Sequence, residues 1–189
     1  MSNVSYTSRT DLLLKNLLDY YKNETNLNKM LKIITGESKI SLRIVDWFAT
    51  NYAKKYFTLY NVSNENGDLV KRFKVYNDYK LKLKAYSKFF FDPFCRWSRI
   101  SIPYKENSYI ETTIGQLNFF KWTIDNKMLE YIEEHFDDIE LDMNSRNSTS
   151  KKKELSIDNK STRKKREELS ISASKSIKKE NVEIILSFN

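Results

Sequence analysis

Glycine and proline are nearly absent from this chain, with three Gly and two Pro in 189 residues. So few turn-formers exclude a β-sandwich of many short strands and favour long regular elements, mainly helices. The scattered glycines also cannot build the Gly-x-x-x-x-Gly-Lys or Gly-x-Gly-x-x-Gly loops that cradle phosphates, which removes the commonest nucleotide enzymes. Cysteine is single, at Cys95, so an internal disulfide framework is excluded and a reducing intracellular setting fits. Histidine is single too, at His135, and no spacing pairs it with Cys95 as a nucleophile and its base. No apolar run approaches the roughly 20 residues that span a bilayer. The N-terminal MSNVSYTSRT lacks the basic start and apolar stretch of a secretory signal. These absences predict a soluble intracellular protein with no membrane partner, no cofactor, no evident small-molecule substrate and no catalytic residues.

What the chain has is rings and charge. Twelve Tyr, eleven Phe and three Trp make 14% of the residues, enough for a core built on large side chains. The net charge of +8 is unevenly distributed. Residues 71–105 hold ten bases against two acids, residues 125–142 hold one base against eight acids, and residues 144–180 hold twelve bases against five acids. Blocks of separated charge belong to chains that meet a polyanion or another charged surface through defined regions.

Hydrophobic periodicity predicts a helix over 10–22 capped by Thr10, a second over 26–35 ended by Gly36, and a third from a Ser38 cap to about residue 55. The third helix would bury Leu42, Val45, Phe48, Ala49 and Tyr52. FTLYNV and LVKRFKV flank the polar turn NENGD and predict a β-hairpin over 56–75. A helix follows over 76–90, stopped by Pro93. ISIPY and YIET predict a second hairpin, with Pro103 placing the first of its strands at an edge or cutting it short. From a cap at Thr112 or Thr113 a helical pattern runs to about Asp142, kinked near Asp125–Asn126. The expected fold is α+β: a mainly helical domain over 1–143 with one or two short hairpins. A disordered basic Ser/Lys-rich tail over 144–180 and a terminal strand over 181–189, docked on the domain, would complete it.

The candidate binding residues lie in the basic middle and the tail. Lys71, Arg72, Lys74, Lys80, Lys84, Lys88, Arg96 and Arg99 interleave with Tyr, Phe and Trp; lysines neutralise phosphates, and ring faces stack on unpaired bases. On a helix, Lys80, Lys84 and Lys88 form a stripe opposite Tyr79, Leu83, Tyr86 and Phe90, which leaves most of the aromatics as core. The tail clusters Lys151-Lys152-Lys153 and Arg163-Lys164-Lys165-Arg166 read as binding arms or nuclear-import signals. Nearby serines such as Ser148 and Ser156 would subtract charge if phosphorylated. The acids Glu130, Glu133, Glu134, Asp137, Asp138, Glu140 and Asp142 follow one another around a helix. They predict a solvated face, or one that pairs with the basic middle, and no metal site. Cys95 is expected to be an inert, buried small hydrophobe between the inward-facing Phe94 and Trp97, and His135 a surface residue.

DWFATNYAKKY, YKLKLKAYSKFFFDPFCRW, TTIGQLNFFKWTIDNKMLEYI and TRKKREELSISASKSI together resemble an uncharacterised family of small basic proteins of giant nucleocytoplasmic large DNA viruses. The resemblance implies a viral origin, with packaging in the virion or action in the host cytoplasm or nucleus. It brings no catalytic residues. The expected function is non-enzymatic nucleic-acid binding through the phosphate backbone, as a DNA-associated virion component. The alternative is a structural or protein-interaction subunit of the virion, or of a host-directed complex, that associates through its acidic helix and basic middle.

Overall fold

The computed structural model of the chain describes residues 8–64, 68–95, 99–103, 108–155 and 179–181. It opens with α1 (Arg9–Tyr21) and α2 (Glu24–Ile34). Ser8 caps α1 by accepting from the Asp11 amide at 3.3 Å, so the expected cap Thr10 lies inside the helix. Gly36 follows the end of α2 with φ +79°, the left-handed conformation a helix terminus needs and glycine adopts without strain.

The third helix begins at a Ser41 cap, while Ser38 shapes the turn ahead by accepting from the Ile40 amide. It is not one uniform helix. α3 (Leu42–Trp47) passes into a π-helical turn over Phe48–Tyr52 and then α4 (Ala53–Lys55). At the junction the Thr50 hydroxyl donates to the Asp46 carbonyl at 2.8 Å, competing for an acceptor of the regular ladder. The predicted inner face of Leu42, Val45, Phe48, Ala49 and Tyr52 is buried throughout.

Both predicted hairpins form. β1 (Leu59–Ser63) pairs antiparallel with β2 (Leu69–Lys74), with Tyr60 opposite Phe73 and a bulge at Val62/Ser63. β2 feeds α5 (Val75–Phe91), whose helical run is interrupted at Ser87 (φ 61°, ψ 171°). β3 (Arg99–Pro103) pairs with β4 (Ser108–Thr113), and β4 with the short β5 (Lys179–Asn181). Among the described residues β3 is thus an edge strand, and it ends at Pro103.

Thr113 caps α6 (Ile114–Asp125) by accepting from the Gln116 amide at 3.1 Å. The expected kink is a break at Asn126–Lys127, with Lys127 at φ 51°; α7 (Met128–Glu134), a second break at His135 and α8 (Phe136–Leu155) follow. α8 therefore runs helically past residue 143, where the sequence predicts order to end. The expected terminal strand over 181–189 lies outside the described residues except for Asn181, and so does most of the tail over 144–180.

α6 is buried almost all round, including Phe119, Trp122, Gln116 and Asn118. A helix enclosed this way must satisfy its polar groups internally. Thr112 Oγ1 donates to Gln116 Oε1 at 3.0 Å, Asn118 Nδ2 to the Phe90 carbonyl at 2.9 Å, and the Tyr21 hydroxyl to the Leu117 carbonyl at 2.8 Å. Gly115 lets α6 and the end of α5 meet: a Cβ there would stand 2.9 Å from the Asp92 carbonyl oxygen and 3.1 Å from that of Phe89. The fold is α+β and mainly helical, with an aromatic core between α5 and α6.

Candidate nucleic-acid interface

The basic middle forms one exposed run of chain from β2 into α5. Strand alternation sets its first part. Tyr60, Val62, Lys71 and Phe73 share the inner face of the hairpin, and Arg72 and Lys74 share the outer one with Asn61 and Leu59. Only Phe73 of these β2 residues is buried; the Lys71 ammonium lies 5.3 Å from its ring centroid. Lys80 and Lys84 are exposed on α5, and Lys88 is exposed beyond the break at Ser87, which interrupts the stripe before its last member. Tyr79, Leu83, Tyr86 and Phe90 pack on the core from the other side, as their spacing predicts. Among the described residues, none of Lys71, Arg72, Lys74, Lys80, Lys84 and Lys88 makes an ion pair.

Other predicted binding residues fare differently. Arg99 is paired, its guanidinium 2.8 Å from Glu111 Oε2 across the β3–β4 ribbon. Arg96 lies outside the described residues, as do Arg163, Lys164, Lys165 and Arg166, and Trp97 beside Arg96. Lys151, Lys152 and Lys153 fall on the last turns of α8.

Among the described residues the acidic block does not pair with the basic middle. Glu130 meets Lys29 at 2.9 Å, Asp137 meets Lys39 at 3.6 Å and Asp142 meets Lys55, all from the first third of the chain, while Asp125 meets Lys121 at 2.7 Å within α6. Asp142 is the strongest departure from the expected solvated face, since its side chain is only 3% exposed. It also accepts from Trp47 Nε1 at 3.0 Å. Burial alone would raise its pKa, but the hydrogen bonds from Lys55 and Trp47 and the charges of Lys55 and Arg146 hold it below the ordinary value. Arg146 reaches back to Asn51 Oδ1 at 3.2 Å and lies 5.6 Å from the Trp47 ring. Trp47, Asn51 and Lys55 thus clamp α8 to the α3–π–α4 segment.

His135 departs from its predicted place on the surface. It is half-buried at the break before α8, stacked 4.1 Å from the Tyr131 ring, with Nδ1 3.0 Å from the Tyr131 carbonyl. Cys95 is half-buried and Phe94 packs on the core. Among the described residues no three His, Cys, Asp or Glu gather as metal ligands, and no helix is long and apolar enough to cross a membrane.

Asp46, outside these networks, is perturbed upward. Burial, with the Asp92 charge adding to it, raises Asp46 to about 7. Its folded state therefore holds the proton more tightly than the unfolded chain does. Stability is lost as pH rises from about 4 to about 7, and the full penalty remains above that. Asp46→Asn is expected to stabilise the protein by about 2 kcal/mol near pH 8 and by much less near pH 4. Urea unfolding at the two pH values checks this; an equal gain at both would exclude ionisation as the source.

Sequence reasoning missed two contributors to the basic face. Lys54, on α4, brings its ammonium 5.7 Å from the Tyr76 ring, and Lys80 approaches the same ring at 5.8 Å. Phe57, just after α4, is the other. No local pattern marks either, because the fold joins α4 to the start of α5.

Across residues 2–189 the chain matches the model of a family described as of unknown function, DUF7197. It is 49% identical over 130 residues to the uncharacterised protein L507 of Acanthamoeba polyphaga mimivirus, covering 66% of this chain and 49% of that protein. The chain thus spans about half the length of the curated relative it matches. No solved structure matches. These findings agree with the resemblance to an uncharacterised giant-virus family.

Proposed function

The chain belongs to DUF7197, and from that premise we propose that it is a non-enzymatic viral protein that binds nucleic acid through the phosphate backbone. The observation that carries this reading is the run of exposed bases along β2 and α5. Lys71, Arg72, Lys74, Lys80, Lys84 and Lys88 lie in one run without carboxylate partners among the described residues, while Glu130, Asp137 and Asp142 are neutralised by lysines elsewhere. Ammonium groups spread along a surface neutralise phosphates without reading bases, so affinity comes with little sequence preference. The tail clusters 151–153 and 163–166 add phosphate contacts in this reading. DNA in the virion, or in the host cytoplasm or nucleus, is the ligand.

DNA binding measured by fluorescence anisotropy across a salt series tests it. If about half of the six bases contact phosphates, replacing all six by Gln should flatten the slope of log K against log salt by about 3 on duplex DNA. Replacing Arg163, Lys164, Lys165 and Arg166 by Gln should flatten it further. A wild-type protein without DNA affinity at low salt, or an unchanged slope in the six-site variant, defeats the reading.

A second reading, a structural or protein-interaction subunit, draws on the exposed Leu69, Val70 and Leu81 on the same β2–α5 segment. It predicts no DNA affinity but self-association, visible by sedimentation and lost in the six-site variant.

A further inference from the structure

Phe57 combines two unfavourable features in one residue. It is 88% exposed, more than any other large apolar side chain among the described residues, and its backbone is left-handed at φ 52°. A bulky side chain rarely adopts that conformation, and strain of this kind persists where the surroundings enforce it.

The helix end accounts for the conformation. The Tyr56 amide donates to the Tyr52 carbonyl at 3.0 Å, and the Thr58 amide reaches back to the Ala53 carbonyl at 3.1 Å. The second bond closes a Schellman-type terminus whose left-handed position falls on residue 57. After α2 the corresponding left-handed residue is Gly36, with open space around a built Cβ. Helix termination would therefore be served better by glycine at 57 as well. The demands of folding explain the backbone and leave the ring unexplained.

The surroundings of the ring point to its ligand. Tyr56, just before it, is half exposed, and the Lys55 ammonium lies 4.6 Å from the Tyr56 ring. The Thr58 carbonyl accepts from the Val75 amide at 3.3 Å, which sets Phe57 beside the junction of β2 and α5. Lys74 stands at that junction opposite Leu59, and Lys54 and Lys80 flank Tyr76 one step further on. An exposed aromatic ring on a fixed backbone, set beside a junction whose neighbouring segments carry Lys54, Lys74 and Lys80, complements a chain that alternates flat π-faces with anionic charge. Unpaired nucleotides have that chemistry. In a duplex the base faces are already stacked on one another and cannot receive the ring.

Resting on the nucleic-acid reading, we infer that Phe57, supported by Tyr56, is a stacking platform for an unpaired base. Lys54, Lys74 and Lys80 hold the adjoining phosphates, so the β2–α5 face takes single-stranded nucleic acid in preference to duplex.

Phe57→Gly tests this cleanly, because it removes the ring, leaves every lysine and relieves the backbone. Binding to oligothymidylate is expected to weaken roughly tenfold, within the range measured for loss of one base–aromatic stack. Binding to a duplex of equal length should change by less than about twofold, since phosphate contacts remain. The melting temperature should rise by about 2–4 °C. Phe57→Trp should retain or tighten single-strand binding, with a change in tryptophan fluorescence on adding oligothymidylate. Wild-type affinity for DNA with no loss of single-strand binding in Phe57→Gly overturns the platform and leaves the nucleic-acid reading standing. An absence of all DNA binding in the wild type overturns both. If Phe57→Gly instead abolishes sedimentation with anionic vesicles, or self-association, while oligothymidylate binding is unchanged, the ring serves a lipid surface or a second copy of the chain and the inference is wrong.

Discussion

Phe91→Ala is expected to destabilise the protein by about 4 kcal/mol, in the range found when a fully buried Phe is truncated. Phe91 has no exposed surface and sits where α5 ends against α6. Its ring centroid lies 5.4 Å from Trp122, 5.8 Å from Phe119, 5.9 Å from Tyr79 and 6.1 Å from Tyr86. Removing it takes a partner from four rings at once and leaves a cavity that they cannot fill without losing contacts among themselves. Around it the backbone is held by the Asn118 bond to the Phe90 carbonyl and by the close passage of Gly115, so collapse of the site is restricted. Phe91→Leu should cost less, about 1–2 kcal/mol, because most of the volume is kept. Urea denaturation followed by far-UV circular dichroism measures both. A loss below about 1 kcal/mol for Ala would mean that the ring cluster is not the organising contact of the α5–α6 core.

The second large effect concerns the clamp on α8. Asp142→Ala removes a buried carboxylate that accepts from both Trp47 and Lys55, and it leaves the indole N–H without an acceptor. A loss of about 3 kcal/mol is expected, since hydrogen bonds to a charged group contribute roughly 1.5–3 kcal/mol each and Lys55 regains some hydration. Asp142→Asn keeps an acceptor for Trp47 and loses the ionic part, so about half that effect is expected. The sign with pH is fixed by the lowered pKa of Asp142. Its contribution is present above the ordinary carboxylate value of 3.8 and is lost as pH falls through the folded-state value. The gap between wild type and Asp142→Ala should therefore close in acid. A gap that is independent of pH would point to packing rather than charge.

Both effects depend on contacts between residues distant in sequence, and the same division runs through the whole molecule. Element type was legible wherever the determinant is local. Leucines and rings at three- and four-residue steps marked α1, α5 and α6. Thr113 marked the start of α6 through a bond to an amide three residues on, and Gly36 marked the end of α2 through its own backbone freedom. The polar turn between FTLYNV and LVKRFKV marked the first hairpin, and Pro103 marked the edge strand. The block of bases over 71–105 was legible as charge, and with it the candidate face on β2 and α5.

Tertiary structure decided which charges remain. Lys29, Lys39 and Lys55 meet acids about a hundred residues away, and only their meeting shows that the acidic block is partly spent internally while the lysines of β2 and α5 are not. Neutralisation is a property of pairs within about 4 Å, and spacing along the chain does not report it. The burial of α6 on nearly every side was hidden for a related reason: periodicity reveals one apolar face, whereas enclosure depends on how many neighbours arrive. The π-helical turn over Phe48–Tyr52 has no local mark in the sequence: the Thr50 hydroxyl bonds the Asp46 carbonyl there, yet Thr123 bonds the Phe119 carbonyl in the same way within the regular α6. Phe57 is the sharpest case. In sequence it is one more ring in an aromatic-rich protein; only the end of α4, which holds its backbone left-handed, and the bond from the Val75 amide to the Thr58 carbonyl, which sets it beside the β2–α5 junction, give it its place as an exposed ring.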